Sequence, residues 1–226
     1  MIWKRPEVFN FWCDQIKVLQ REVDAEIIPL AVGSEKKVSR ELAEVNNVRY
    51  YEFKNRPLGR KANYRLRVAR SLDPDYILFL GSDDVISSDL LKYQIELAND
   101  FDVVEVKDIY YYDTRTKTFV YCKGYTNHRK EEPLAVARLV NAKVFDEIGC
   151  DVWNARKSKG IDIDFHNKLD QFKRTQIEIE NRFLVLDIKT DDNISTFDTT
   201  RDNWKVIPET FVKKKLGSQF SKLKQL

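Results

Sequence analysis

Apolar positions along this chain fall into alternating helical and strand-like spacings. Residues 8–23 carry Val8, Phe11, Trp12, Ile16 and Leu19 at helical spacing. Residues 27–32 read as a strand ended by Gly33-Ser34, residues 38–45 as a short helix, and residues 48–53 as a second strand. Pro57-Leu58-Gly59 then marks a turn. Residues 60–72 predict a helix with Ala62, Leu66 and Ala69 on one side, residues 76–80 a strand, and residues 89–99 another helix. This alternation predicts an α/β fold with three layers, α/β/α, around a mostly parallel central sheet. The second half is richer in strand signal. Residues 102–112 and 118–125 bracket a hairpin turn over Asp113-Thr114-Arg115-Thr116-Lys117. Residues 136–148 and 163–172 predict helices, and residues 176–187 one strand. Near the C-terminus Val212, Leu216, Phe220 and Leu223 share one helical face, which predicts docking on the body.

The most informative stretch is Tyr76-Ile77-Leu78-Phe79-Leu80-Gly81-Ser82-Asp83-Asp84. A short apolar run stops at two small turn-forming residues and then presents two carboxylates. Ligands of open α/β sheets sit at the carboxyl ends of strands. Paired acids there suit a hard divalent cation, because Mg²⁺-like ions take one or two carboxylates and then the oxygens of a bound phosphate. The same residues also suit a plain turn, with Ser87 or Ser88 capping the helix that follows.

Composition narrows the class. With 226 residues, 42% hydrophobic and 33% charged, the chain can bury one good core and is not disordered overall. No apolar run approaches a membrane span, and the start, Met1-Ile2-Trp3-Lys4-Arg5-Pro6, lacks the apolar centre of a signal peptide. Three widely spaced cysteines and two histidines argue against a disulfide framework or a zinc site, so a reducing cytoplasm is expected. The net charge of +3 is unevenly spread. In residues 205–226 six lysines face one glutamate, and in residues 54–70 seven Lys and Arg stand with no acid among them. Basic zones attract the phosphates of nucleotides, nucleic acids or lipid headgroups, or are simply solvated faces.

The ordered set Asn55, Pro57-Leu58-Gly59-Arg60-Lys61-Ala62-Asn63, then Asp75 to Asp84 with its Gly81-Ser82-Asp83-Asp84 end, resembles the nucleotide-sugar-binding half of glycosyltransferase family two. Gly33-Ser34 is similar to the Gly-Ser that closes that family's second strand. The resemblance implies the GT-A fold in a single domain over residues 1–204. Residues 1–100 would form the donor nucleotide-binding half, residues 101–204 the acceptor half, and residues 205–226 a basic amphipathic tail. It implies an inverting, metal-dependent transfer of a sugar from a nucleotide sugar, with a UDP-sugar favoured, to a hydroxyl acceptor. Mn²⁺ or Mg²⁺ would be held by Asp83 and Asp84 and would neutralise the leaving diphosphate. Arg60 and Lys61, at the start of a helix, and Asn63 one turn in would face the donor. Gly33, Gly59 and Ser82 belong to the same donor-binding set. Gly160-Ile161-Asp162-Ile163-Asp164-Phe165-His166 is similar to the family's acidic motif. On that register Asp162 is the base that takes the acceptor proton, with Asp164 and His166 as neighbouring alternatives.

Departures from the pattern are informative. Gly81 stands where the family has its first metal-site Asp. Ala31-Val32 replaces the acidic pair before Gly-Ser, which leaves Glu35 to substitute in recognising the base. Trp3 and Arg5 are placed to stack on or contact the nucleotide, and Lys189 with Asp191, Asp192 and Asn193 to close the site, Lys189 facing the diphosphate. The compact form is similar to small viral or bacterial glycosyltransferases, which implies either a hydroxymethylated base in phage DNA or a cell-surface glycan as acceptor. The tail would then serve the duplex or an anionic membrane surface. Two rival readings are a nucleotidyltransferase that makes nucleotide sugars and a non-catalytic nucleic-acid-binding protein.

Overall fold

A computed structural model describes residues 4–126, 129–130, 132–191 and 204–226. The first half alternates as expected: α1 (Pro6–Glu22), β1 (Leu30–Gly33), α2 (Lys37–Val45), β2 (Arg49–Glu52), α3 (Leu58–Arg70), β3 (Tyr76–Phe79), β4 (Asp84–Ile86) and α4 (Ser88–Leu97). The second half runs β5 (Val103–Val106), β6 (Ile109–Asp113), β7 (Thr118–Cys122), β8 (Arg138–Asn141), α5 (Val144–Ile148), α6 (Asp162–Leu169), β9 (Arg174–Ile177) and β10 (Val185–Lys189). It closes with β11 (Trp204–Ile207), α7 (Glu209–Leu216), a 3-10 turn over Gly217–Gln219, and α8 (Phe220–Leu223).

The strands form three sheets: β1-β2, a four-stranded sheet β3-β8-β5-β9, and a five-stranded sheet β11-β7-β6-β10-β4. The α/β class holds, but the pairing is mixed rather than mostly parallel. Parallel ladders join β1 to β2, β5 to β9 and β6 to β10, and the other pairs are antiparallel. One cause is β8. The helix expected over residues 136–148 is a strand up to Asn141, inserted between β3 and β5 and antiparallel to both. Its Leu139 and Val140 are buried, and short apolar runs of this kind carry no periodicity that separates a core strand from a helix.

The strand expected over residues 176–187 is two strands. Between them the Asp108 carboxylate accepts the backbone N–H groups of Ile179 (2.7 Å) and Glu180 (3.0 Å), and the Tyr110 hydroxyl accepts that of Asn181 (2.9 Å). These side chains satisfy the backbone where the ladder stops, so the turn costs no buried unpaired donors. The C-terminal face docks as expected. Val212, Leu216, Phe220 and Leu223 are all buried in the main core with α1, α4 and the five-stranded sheet. Three of the segment's lysines meet acids: Lys215 with Asp89 (2.5 Å), Lys222 with Asp14 (2.6 Å) and Lys224 with Glu209 (3.1 Å). Trp204–Ile207 adds an edge strand to β7, so residues 205–226 are built into the domain rather than appended to it.

A second core lies among α3, α5, α6 and the loop before α6. Phe79, Phe145, Trp153 and Phe165 pack edge-to-face, tilted and stacked at centroid distances of 5.0–6.2 Å. The N-terminus of α3 is clasped to this loop. Gly59 N–H donates to the Lys157 carbonyl (3.0 Å), and the Asn63 side chain both donates to the Trp153 carbonyl (2.8 Å) and accepts from its N–H (2.9 Å). A Cβ on Gly59 would stand 2.1 Å from the Asn154 carbonyl oxygen, a backbone atom that cannot swing aside. Gly59→Ala is therefore expected to destabilise by about 1–3 kcal/mol. This outweighs the gain of about 1 kcal/mol that Ala brings to a helix interior. Urea unfolding checks it, and an unchanged or raised midpoint would show that the clasp is looser than drawn.

Candidate functional site

The acidic turn sits where the chain crosses from the four-stranded sheet to the five-stranded one. β3 ends at Phe79, and Asp84 opens β4. Asp84 is buried, and its Oδ2 accepts the Gly81 N–H at 2.7 Å. A Cβ at Gly81 would lie 2.5 Å from Asp84 Oδ2 and 2.8 Å from Asp83 Oδ1. Both atoms are the far ends of side chains, so a residue with a Cβ at position 81 would require Asp83 and Asp84 to rotate. The two expected metal ligands diverge: Asp83 pairs with Arg5 at 2.7 Å, while Asp84 turns into the protein.

Asp84 has another acidic neighbour. In the β4–β10 ladder it lies directly opposite Asp187, and opposed residues in such a ladder share a face. Asp187 Oδ2 accepts from Lys189 Nζ at 2.5 Å, while its Oδ1 is buried with no hydrogen-bond partner. Burial, then the charges of Asp187 and Asp83, push Asp84 well above the ordinary carboxylate range. Asp187 is raised to about 6 by burial; Lys189 pulls it back down and Asp83 pushes it up. Lys189 also lies 5.2 Å from the centre of the Tyr111 ring, which stacks on Trp204 at 4.8 Å.

These groups line one wall of a cavity of about 780 Å³. The same cavity is lined by Arg65 on α3, by Trp153, and by Gly160, Ile161 and Asp162 at the start of α6. The structure separates the three candidates of the acidic motif. Asp164 is held by Lys157 (2.7 Å) and the Asn154 N–H (3.2 Å), and His166 Nδ1 faces Arg174 at 3.0 Å. Asp162, exposed in the first turn of α6, is the candidate that lines the cavity.

Behind Asp162 stands a buried charge cluster. Glu105 takes Arg174 on Oε2 (2.8 Å), and its Oε1 stands 2.7 Å from Arg138 Nε, a charge contact outside hydrogen-bond alignment. Arg138 also lines the cavity and lies 5.1 Å from the centre of the Phe165 ring.

The remaining expected residues are placed as follows. Lys61 is buried, with Nζ 3.1 Å from both Ser34 Oγ and Asn55 Oδ1. Burial and then Arg65 lower its pKa to about 8, against the pull of Glu35. Arg60 points elsewhere, into a separate depression of about 460 Å³ with Lys54 and Arg56, so the two cations do not act at one place. The donor hydrogen bond expected of Asn63 is not what its amide does, because both ends are used on Trp153. Gly59 likewise serves the clasp. Gly33 is needed for close approach, since a Cβ there would stand 2.5 Å from the Tyr50 ring and 2.7 Å from Ser39 Cβ. Glu35 accepts the Lys4 N–H at 2.8 Å, and Ser82 is buried in the acidic turn. Trp3, Asp192 and Asn193 lie outside the described residues.

Sequence reasoning missed Asp187 and Arg65. The signal for Asp187 was present: Asp187 and Lys189, two apart, put opposite charges on one face of an otherwise apolar strand. Arg65 carried no signal of its own within a run of basic residues. Among the described residues no three His, Cys, Asp or Glu side chains form a ready-made metal site. Asp84 and Asp187 nevertheless suit a cation that takes two carboxylates, since one Asp187 oxygen is unsatisfied and Lys189 only partly offsets the charge of the pair.

Comparison with solved structures places the fold. TarS 1–349 from S. aureus overlaps with a TM-score of 0.50 at 13% identity, covering 81% of this chain and 55% of that one. A197 from STIV overlaps at 0.44 and 15% identity, covering 77% of this chain and 100% of that one. HddC from Yersinia pseudotuberculosis overlaps at 0.48 and 14% identity, covering 78% and 79%, and has also been solved complexed with GMP-PN. The overlap with TarS supports the GT-A arrangement expected from the sequence, in a chain that spans just over half of that structure. No protein-family model matches the chain, and no curated protein sequence matches it. Among the described residues no helix is long and apolar enough to cross a membrane.

Proposed function

We propose that this chain is an inverting, metal-dependent glycosyltransferase that moves a sugar from a nucleotide sugar, with a UDP-sugar favoured, to a hydroxyl acceptor. The observation that carries the reading is the shared cavity, lined by the opposed Asp84 and Asp187, by Lys189 and by the exposed Asp162. A buried, partly unsatisfied carboxylate pair in the same cavity as a separate accessible carboxylate suits a leaving diphosphate at the first and an attacking hydroxyl at the second. Asp84 and Asp187 would hold Mn²⁺ or Mg²⁺, with Asp83 adding charge from beside them. The bound cation supplies Lewis-acid neutralisation of the departing diphosphate. Lys189 adds a positive charge on the same side. Asp162 takes the acceptor proton as the hydroxyl oxygen bonds to the anomeric carbon. The bond from that carbon to the phosphate oxygen breaks, its electron pair leaving with the nucleoside diphosphate. One displacement of this kind inverts the anomeric centre.

The acceptor we favour is a sugar hydroxyl or a hydroxymethylated base. Three of the six lysines of the C-terminal segment are engaged in ion pairs within the fold, so a polyanionic acceptor would have Lys54, Arg56 and Arg60, together with the exposed Lys205, Lys213 and Lys214, to meet. Thermal shift with UDP, GDP, TDP and CMP, each with and without Mn²⁺, tests the reading. One nucleotide is expected to raise the melting temperature only when the metal is present. Equal shifts without metal, or none with any nucleotide, would count against it. In a donor–acceptor assay Asp162→Asn is expected to keep the nucleotide shift and lose about 10²–10⁴-fold in kcat, the usual range for a general base. Loss of nucleotide binding instead would remove Asp162 from that role.

A further inference from the structure

Arg65 lines the same cavity as Asp162. It lies 5.5 Å from the centre of the Phe79 ring and 5.7 Å from that of Trp153, and its Nε is buried with no hydrogen-bond partner. Arg67 and Arg70, on the same helix, each have an aspartate partner at the surface. No ion pair is formed by Arg65 among the described residues. Asp162 instead acts on it through space from beyond ion-pair distance. A desolvated guanidinium held over aromatic rings without a carboxylate is costly unless a bound oxygen completes it. Burial lowers its pKa to about 10, and the pull of Asp162 only partly offsets this.

We propose that Arg65 holds the oxygen of the attacking hydroxyl, so that the proton of that hydroxyl faces Asp162. A hydroxyl offers one O–H to donate and two lone pairs. It can give the proton to Asp162, accept from Arg65 on one lone pair, and attack with the other. An anionic substituent on Arg65 would instead be set beside the Asp162 carboxylate, which disfavours it. The inference rests on the transferase reading and assigns a group that touches the acceptor rather than the donor.

The test uses water as the simplest hydroxyl, by following release of UDP from UDP-glucose, UDP-galactose and UDP-N-acetylglucosamine with Mn²⁺. Arg65→Met keeps the apolar contacts with Phe79 and Trp153 and removes the donors. It is expected to slow UDP release about 100-fold, the cost of losing one positioned donor. The UDP–Mn²⁺ thermal shift is expected to stay unchanged, and the melting temperature without ligand to be equal or higher, because a half-buried charge with no ion-pair partner among the described residues has been removed. Arg65→Lys, which keeps the charge but not the fork, is expected to fall between, and added guanidinium to restore part of the Arg65→Met rate. Release within twofold of the unaltered protein would overturn the inference. So would a joint loss of release and UDP binding, which would place Arg65 on the donor side, or a large fall in melting temperature without rescue, which would make it structural. If the unaltered protein binds UDP with Mn²⁺ but Arg65→Met matches it in release, the inference fails alone. If the unaltered protein neither binds nor releases UDP, the transferase reading falls and takes the inference with it.

Discussion

Asp187→Asn is expected to abolish sugar transfer while raising the stability of the ligand-free protein. The two effects share one cause. Asp187 is an acid whose folded pKa is raised from 3.8 to about 6, which corresponds to about 3 kcal/mol against the ionised form. That balance already contains the attraction of Lys189 at 2.5 Å, and it still disfavours the carboxylate. An acid raised on folding contributes stability that is fully present below pH 3.8 and is lost as the pH rises through about 6. The ligand-free protein should therefore lose stability between those limits, and Asp84, raised for the same reason, should add to the trend.

Asparagine mimics the protonated acid and should flatten this profile. At pH 7.5 it should raise the melting temperature by several degrees, since each kcal/mol is worth about 2–4 °C in a chain of this length. Mn²⁺ with nucleotide should stabilise the unaltered protein far more than Asp187→Asn. A pH profile of equal slope in both proteins, or a lower melting temperature at neutral pH for Asp187→Asn, would show that the carboxylate is there for structure. Stability given up at a site is a common signature of function.

Glu105→Gln is expected to destabilise by about 3–5 kcal/mol, the cost of leaving buried charges without their counter-ion. Glu105 is fully buried, and both Arg138 and Arg174 rest on it. Glutamine keeps the shape and removes the charge, which isolates the electrostatic part. Chemical denaturation should show the midpoint falling with little change in slope. The double substitution Glu105→Leu with Arg138→Met should recover much of the loss, because buried pairs are often replaced by packed apolar groups at little cost. If Glu105→Gln alone were nearly neutral, the cluster would be hydrated in solution and would not brace α6.

Much of the fold was legible from periodicity and turns. α1, β1, α2, β2, α3, β3 and α4 all lie within the spans expected from apolar spacing, or within a few residues of them, because each packs apolar side chains against one of the two cores. β8 was not legible: Leu139, Val140, Val144 and Phe145 sit at helix-compatible spacing, and only long-range pairing with β3 and β5 makes the first of them a strand. Nor was the turn at residues 178–184, whose backbone is satisfied by Asp108 and Tyr110 some 70 residues upstream.

At the candidate site, Asp84, Lys189 and Asp162 were singled out in advance and line one cavity. The pairing of Asp84 with Asp187 was hidden, because register between strands a hundred residues apart is not written in local sequence. The clasp made by Asn63 was hidden for a similar reason. That residue type fits a ligand contact and a loop clasp equally well, and the choice depends on Trp153, 90 positions away.

That clasp bears on how such a chain could be re-engineered. Residues 153–157 carry the lead-in to α6, and they hang from α3 through Gly59 and Asn63. The α3 and α6 parts of the cavity lining are therefore inherited as one piece, although they come from opposite halves of the chain. A chimera that transplanted only residues 150–170 to change the acceptor would receive a loop without its hanger, and its Asp162 would be misaimed. A graft that carried residues 57–66 along with it would move the whole bracket.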